Sequence, residues 1–192
     1  IVSGEGTDPQ IARQAAAFVR AIDKLPLPVK DSPGFLVNRV LGPYLQQALR
    51  RVDEGVAPET LDAAMERFGM PMGPIELADV VGLDICMAVG KELSGESAPP
   101  KRLDELVKAK QLGKKTGSGF YLWKEGKAQK GAAGPVDDAL IERLIRPYLD
   151  EAQQAVAEGI VAAADLADAG LSFGTGFAPF RGGPLHYLKA GK

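Results

Sequence analysis

Little in this chain of 192 residues seeks a metal or a redox partner: it holds one cysteine, Cys86, and one histidine, His186. A single cysteine excludes an internal disulfide and suits a reducing, cytoplasmic setting. A single histidine excludes a histidine pair, and Cys86 cannot complete a zinc site alone, so no metal site is expected. Aromatic residues are scarce at 6%, and no apolar run reaches the roughly 18 residues that a membrane span requires. No secretory signal is visible. An excess of one charge is also missing: 23 Lys and Arg against 25 Asp and Glu leave a net −2. That balance gives no footprint for nucleic acid or for an anionic membrane. The chain starts at Ile1 rather than at a methionine, as expected of a trimmed fragment.

What is present is organised around residues 31–45. Asp31, Ser32 and Pro33 predict a helix start, with a side-chain acceptor for orphan N–H groups followed by a proline whose φ is already helical. Val37, Leu41, Tyr44, Leu45, Ala48, Leu49 and Val52 then recur at helical spacing. Asn38 falls in the second turn of that helix, with Gly34 four residues before it and Gly42 four after. Those three would share one face. A glycine inside a helix costs about 1 kcal/mol relative to alanine, so something should approach closely there. On helix physics alone the favoured reading is packing: the glycines admit another helix, and Asn38 is a satisfied core amide.

The stretch recurs. Arg39-Val40-Leu41-Gly42-Pro43-Tyr44-Leu45 is echoed by Arg143-Leu144-Ile145-Arg146-Pro147-Tyr148-Leu149, and Glu54-Gly55-Val56 by Glu158-Gly159-Ile160. Phe68-Gly69 pairs with Phe173-Gly174, and Gly73-Pro74 with Gly183-Pro184. Each Pro-Tyr would sit inside a helix and kink it. Two copies of so particular a feature argue for duplication of a helical unit. Asn38 is not duplicated, because its counterpart is Glu142. One copy could keep chemistry while the other packs.

Residues 1–30 read differently. Ile1-Val2-Ser3 can end a strand, Asp8-Pro9 can open a helix with Ile11, Ala15, Phe18, Val19 and Ile22 as its stripe, and 25–30 looks extended around two prolines. This is a βαβ-like scrap. Gly4-Glu5-Gly6 fails as a dinucleotide fingerprint because Pro9 stands at the third glycine. Further on, helices are expected from Pro58 to Gly69 with Leu61, Met65 and Phe68 inward, from Pro74 with Glu76 as a helix-dipole partner, over 83–93 with Ile85, Val89 and Leu93, and over 101–110. A loop is expected at 94–100. Gly113-Lys114-Lys115-Thr116-Gly117 is no P-loop, since Lys108 and Lys115 occupy the places of its first glycine and its Ser or Thr. It reads as a turn that seats Phe120, Tyr121 and Trp123 on the core. Residues 124–136 look like a flexible linker. Asp137 or Asp138 then caps a second long helix reaching about Glu158, followed by an alanine-rich helix, a turn-rich 174–183 and a last short helix. His186 would need a nucleophile and an orienting carboxylate to act as a base, and nothing beside it supplies them. A structural histidine is expected.

Four motifs, in one order, resemble the 3-hydroxyacyl-CoA dehydrogenase family: Asp31-Ser32-Pro33-Gly34-Phe35-Leu36-Val37-Asn38-Arg39, Gly69-Met70-Pro71-Met72-Gly73-Pro74-Ile75-Glu76-Leu77-Ala78-Asp79, Val81-Gly82-Leu83-Asp84 and Leu112-Gly113-Lys114-Lys115-Thr116-Gly117-Ser118-Gly119-Phe120-Tyr121. The resemblance spans essentially the whole chain. The tandem copy, with Gly176-Phe177-Ala178-Pro179-Phe180-Arg181-Gly182-Gly183-Pro184, looks like the multifunctional β-oxidation enzymes, in which an enoyl-CoA hydratase precedes the dehydrogenase. It implies an all-α fold of two tandem helical units after a remnant of a Rossmann domain: 1–31 the remnant, 32–123 the first unit, 124–136 a linker and 137–192 a second, shorter unit.

The resemblance further implies a C-terminal portion of an NAD-dependent L-3-hydroxyacyl-CoA dehydrogenase whose NAD domain and catalytic His–Glu pair lie outside this chain. The chain alone is then expected to be inactive and to bind no cofactor. Asn38 matches the family's active-site asparagine, so the resemblance turns it from a packing residue into a substrate-binding one. A tyrosine often stands in multifunctional relatives where this chain has Phe173, and no role is carried over to it. The implied partners are an acyl-CoA substrate and a thiolase for the parent, with this chain a monomer whose two units mimic a dimer. The alternatives are a non-catalytic helical assembly module, or the C-terminal domain of a related hydroxy-acid dehydrogenase.

Overall fold

The computed structural model describes residues 1–94 and 98–191. Part of the loop expected at 94–100 therefore lies outside the described residues. Two very short parallel strands, β1 (Val2–Ser3) and β2 (Val29–Lys30), flank helix α1 (Pro9–Ala21). Asp8 caps α1 by accepting from the Gln10 amide at 2.7 Å. The apolar stripe of α1 is left uncovered: Ile11, Phe18 and Ile22 are each more than half exposed. Of the extended stretch at 25–30, only Val29–Lys30 pairs as strand.

Next come α2 (Val37–Asp53), α3 (Pro58–Phe68), α4 (Pro74–Val81), α5 (Leu83–Ser94) and α6 (Lys101–Lys108). A hairpin of β3 (Leu122–Lys124) and β4 (Lys127–Gln129) precedes α7 (Asp138–Ala157), α8 (Ala164–Thr175) and α9 (Pro184–Lys189). The duplicated prolines, Pro43 and Pro147, do lie inside the two long helices α2 and α7. Asp137 caps α7 through the Leu140 amide at 2.7 Å. Left-handed Gly69 ends α3, with φ +115°.

By contact the chain forms two compact units, Val40–Tyr148 and the pair Ile1–Arg39 with Leu149–Lys192, so the division runs through both long helices. Within Val40–Tyr148, Tyr44, Leu61, Met65, Phe68, Ile75, Leu83, Leu103, Leu106 and Tyr148 are buried. The rings of Tyr44 and Tyr148 meet edge to face, 6.0 Å apart at 87°. These are equivalent residues of the two repeats in mutual contact, as residues on a twofold axis are. In the other unit Leu36, Leu171 and Phe177 are fully buried.

Several expectations are corrected. The long helix begins at Val37 rather than Pro33, because Gly34 and Phe35 are left-handed, with φ of +74° and +51°. A Cβ on Gly34 would come within 2.7 Å of the Arg39 nitrogen. Gly34 therefore serves a turn and lies on no helix face. In α5 the buried residues are Leu83, Cys86 and Gly90, whereas Ile85 is exposed. The helix at 101 ends at Lys108, short of left-handed Lys110.

The stretch expected as linker is hydrogen-bonded chain. Its start forms the hairpin, Gly131 donates to Glu59 at 3.1 Å, Gly134 donates to Thr60 at 2.8 Å, and the Val136 carbonyl accepts from Arg67 at 2.9 Å. Lys130 reaches Asp62, Glu66 and Glu76 at 3.2, 3.0 and 2.7 Å. Composition concealed this, because glycine and alanine offer no side chains and several of the contacts run through backbone groups.

Candidate functional site

Asn38 occupies the first turn of α2 and is exposed, not a core amide. Among the described residues its side chain makes no hydrogen bond. The turn before it places Phe35 beside it, 45% exposed in a left-handed conformation that a bulky residue rarely adopts. That turn is held by the Phe35 amide on the Ser32 carbonyl at 2.8 Å and the Arg39 amide on the Gly34 carbonyl at 3.1 Å.

Arg39, the residue after Asn38, fixes the start of the helix. Its guanidinium donates to Glu151 at 2.5 Å, to Glu158 at 2.7 Å and to Ser32 at 3.3 Å. The hydrogen bond from Arg39 draws the Glu158 carboxyl down to about 2, well below the ordinary carboxylate range. The bond to Glu158 also raises the guanidinium above its usual value. Helix α8 lies close by: a Cβ at Gly170 would meet Leu27 at 2.4 Å, and one at Gly174 would meet Val37 at 2.9 Å. Phe173, next to Gly174, is 78% exposed. The outcome is an uncommitted amide on a braced helix start, in a unit that also exposes Phe35 and Phe173.

His186 is exposed on α9, and its backbone N–H donates to Asp168 at 3.1 Å. Glu76 pairs with Lys130 rather than only facing a helix terminus. Cys86 is buried, and burial pushes its thiol up to about 12, which makes it inert. Among the described residues no group of three or more His, Cys, Asp or Glu is placed to hold a metal ion, and no helix is long and apolar enough to cross a membrane.

The residues present do not fit NAD. The N-terminus of α1, where a dinucleotide-binding helix would receive a pyrophosphate, already carries the Asp8 carboxylate and begins with Pro9. The parallel sheet beside it has two strands.

Sequence reasoning missed three buried aspartates. Asp62 on α3 accepts from the Ile75 and Glu76 amides at the start of α4, at 2.8 and 3.2 Å. Asp168 on α8 does the same for α9, through Leu185 at 2.7 Å and His186 at 3.1 Å. Asp79 receives Phe120, Tyr121 and the Trp123 indole at 3.0, 3.0 and 2.9 Å. Burial raises all three carboxyls above the ordinary aspartate value. The available signal was Gly-Pro at the head of α4 and of α9: neither residue offers a capping side chain, so an acceptor must come from elsewhere.

Comparison with known proteins agrees with this architecture. Residues 34–123 match the model of the 3-hydroxyacyl-CoA dehydrogenase C-terminal domain. The fatty acid oxidation complex subunit alpha of Shewanella amazonensis is 36% identical over 98% of this chain and 29% of its own length. This chain thus spans less than a third of that relative. The crystal structure of 3-hydroxybutyryl-CoA dehydrogenase from Escherichia coli superposes with a TM-score of 0.83 over 98% of this chain and 59% of that one; at 23% identity it shows the fold alone. The dehydrogenase part of a multifunctional enzyme from C. elegans matches at 26% identity and a TM-score of 0.62, over 86% of this chain and 42% of that one. A mainly helical body after a two-strand scrap, with four motifs in order, therefore has a family over its matched part: residues 34–123 belong to the 3-hydroxyacyl-CoA dehydrogenases, as their C-terminal domain.

Proposed function

We propose that this chain completes the substrate site of a larger NAD-dependent enzyme that oxidises L-3-hydroxyacyl-CoA to 3-ketoacyl-CoA in fatty-acid β-oxidation. The observation that carries the reading is Asn38: an exposed amide without a hydrogen-bond partner among the described residues, on a helix start braced by Arg39, Glu151 and Glu158. An uncommitted amide on a braced backbone suits positioning of a polar substrate, because the helix start that carries it is already fixed. Asn38 would hydrogen-bond near the reacting oxygen, or to the catalytic histidine supplied from outside this chain. Exposed Phe35 and Phe173 give the substrate apolar surface in the same unit.

The cofactor is NAD, held by the parent outside these residues, and the chain alone neither binds NADH nor turns over. The parent works in the cytoplasm, with a thiolase as the partner that consumes its 3-ketoacyl product. The chain itself is a monomer: the Tyr44–Tyr148 contact joins the two repeats as a homodimer would join two chains. Any exception would arise from α1, whose Ile11, Phe18 and Ile22 are exposed.

Calorimetric titration of the chain with NADH, beside turnover of the parent followed by NADH absorbance, tests the reading. Turnover by the parent and none by the chain is expected; stoichiometric NADH binding by the chain contradicts it. Light scattering before and after deletion of residues 1–30 tests the monomer, and a dimer that survives the deletion excludes it.

A further inference from the structure

A cleft of about 310 Å3 opens within the unit Val40–Tyr148, away from every group used above. Glycine makes its floor. A Cβ at Gly42 would lie 2.6 Å from Leu93, and one at Gly90 would lie 2.3 Å from the Gln46 amide nitrogen. Helices α2 and α5 can therefore approach closely, with the Gln46 side chain laid across the backbone of α5. The walls are apolar and come from Leu93 and from Pro43 and Pro147, the prolines of the duplicated motif.

The polar lining is uncommitted. Gln46 and Gln47 are half-buried, and among the described residues neither side chain makes a hydrogen bond. Arg50 lies one turn beyond Gln46 on the same face of α2. It meets no carboxylate among the described residues, and its contact with the Ala98 carbonyl is 3.5 Å long, at the outer limit of a hydrogen bond. Three polar groups, with Arg50 exposed at the rim, and three apolar ones thus line a space in which the polar groups keep donors free of firm protein partners among the described residues.

We propose that this cleft binds a small monocarboxylate with a short apolar body. The guanidinium fork of Arg50 matches a carboxylate bidentately, and the two amides can donate to the same oxygens. The apolar body would lie against Pro43, Pro147 and Leu93. A bare inorganic anion would leave those walls wet, and a neutral ligand would gain no charge-assisted bond from the exposed Arg50. The volume suits a ligand of roughly ten non-hydrogen atoms, for which Kd falls on the order of a millimolar or below.

The test is a nitrogen–proton chemical-shift titration of the 192-residue chain with hexanoate as probe, against hexanol, hexylamine and inorganic phosphate. Saturable shifts of the Gln46 and Gln47 side-chain amides with hexanoate are expected, with at least about tenfold weaker response to each of the other three probes. Arg50→Gln should weaken hexanoate by about tenfold or more and leave the rest of the spectrum in place, which shows the fold intact. No saturable shift at ten times a millimolar overturns the proposal. So does equal binding of hexanol, equal binding of phosphate, or an Arg50→Gln chain that binds hexanoate as before.

Discussion

The two copies of the repeated unit solve one problem in the same way and then part company. In each, an aspartate on one helix crosses to cap the next: Asp62 serves α4 and Asp168 serves α9. In each, the capped helix begins with Gly-Pro, and a Cβ on the glycine would strike the aspartate, at 2.3 Å for Gly73 and 2.4 Å for Gly183. Around the carboxylates the copies differ. Asp62, 1% exposed, also accepts from the Tyr121 hydroxyl at 2.8 Å and faces Lys130 at 3.2 Å. Asp168, 8% exposed, accepts from two backbone donors and, among the described residues, from no side chain. The cap is thus what the helical unit needs in order to fold. The added donors come from Tyr121, just before the hairpin, and from Lys130, just after it, and the second copy has no counterpart of that segment.

The largest stability effect should follow from removing Asp62. Asp62→Ala leaves the buried Tyr121 hydroxyl and two amides without their acceptor and removes one of the three carboxylates around Lys130, a loss of about 3–5 kcal/mol. Asp168→Ala removes a cap alone and should cost about 1–2 kcal/mol. Urea denaturation of both variants measures the gap, and equal losses would mean that the hairpin adds nothing to the first cap.

Next comes an acid effect that starts from Glu158, the residue after α7. Glu158 has a folded value of about 2 against an ordinary 4.5, so its pairing with Arg39 stabilises above pH 4.5 and is lost as the pH falls towards 2. Asp168 has the opposite sign. Burial raises its carboxyl above 3.8, so its contribution is full below that value and declines as the pH rises through the raised one. Glu158→Gln should flatten the acid limb of the stability curve while leaving the Asp168 limb. A variant whose acid limb matches the parent's would remove Glu158 from the account.

The smallest effect belongs to Tyr44, whose hydroxyl is buried without a hydrogen-bond partner among the described residues. Tyr44→Phe should be neutral, or stabilising by up to about 1 kcal/mol. A clear loss on thermal melting would reveal a bond to the hydroxyl in solution.

The comparison also shows which features a sequence can display. Helix identities and the kinking prolines were legible because periodicity and proline act locally. The repeat was legible because its Arg-x-x-x-Pro-Tyr-Leu stands out in composition. The true start of α2 was hidden, since Pro33 signals a helix and the left-handed pair Gly34–Phe35 cancels it. The strap at 130–136 was hidden too, since its bonds to Glu59, Thr60 and Arg67 join residues some seventy positions apart. Asn38 stood out only through motif resemblance; helix physics pointed the wrong way, into the core.

Division of labour between the copies is the central claim, and the equivalent positions Asn38 and Glu142 test it most directly. In the full-length parent, kcat and Tm would be measured for Asn38→Ala and for Glu142→Ala. Loss of one positioned hydrogen bond in the transition state is worth up to about 3–4 kcal/mol. The account predicts a fall in kcat of up to about a thousandfold for Asn38→Ala with Tm unchanged, and no change in either quantity for Glu142→Ala. An Asn38→Ala parent that melts lower yet turns over normally when folded would contradict it.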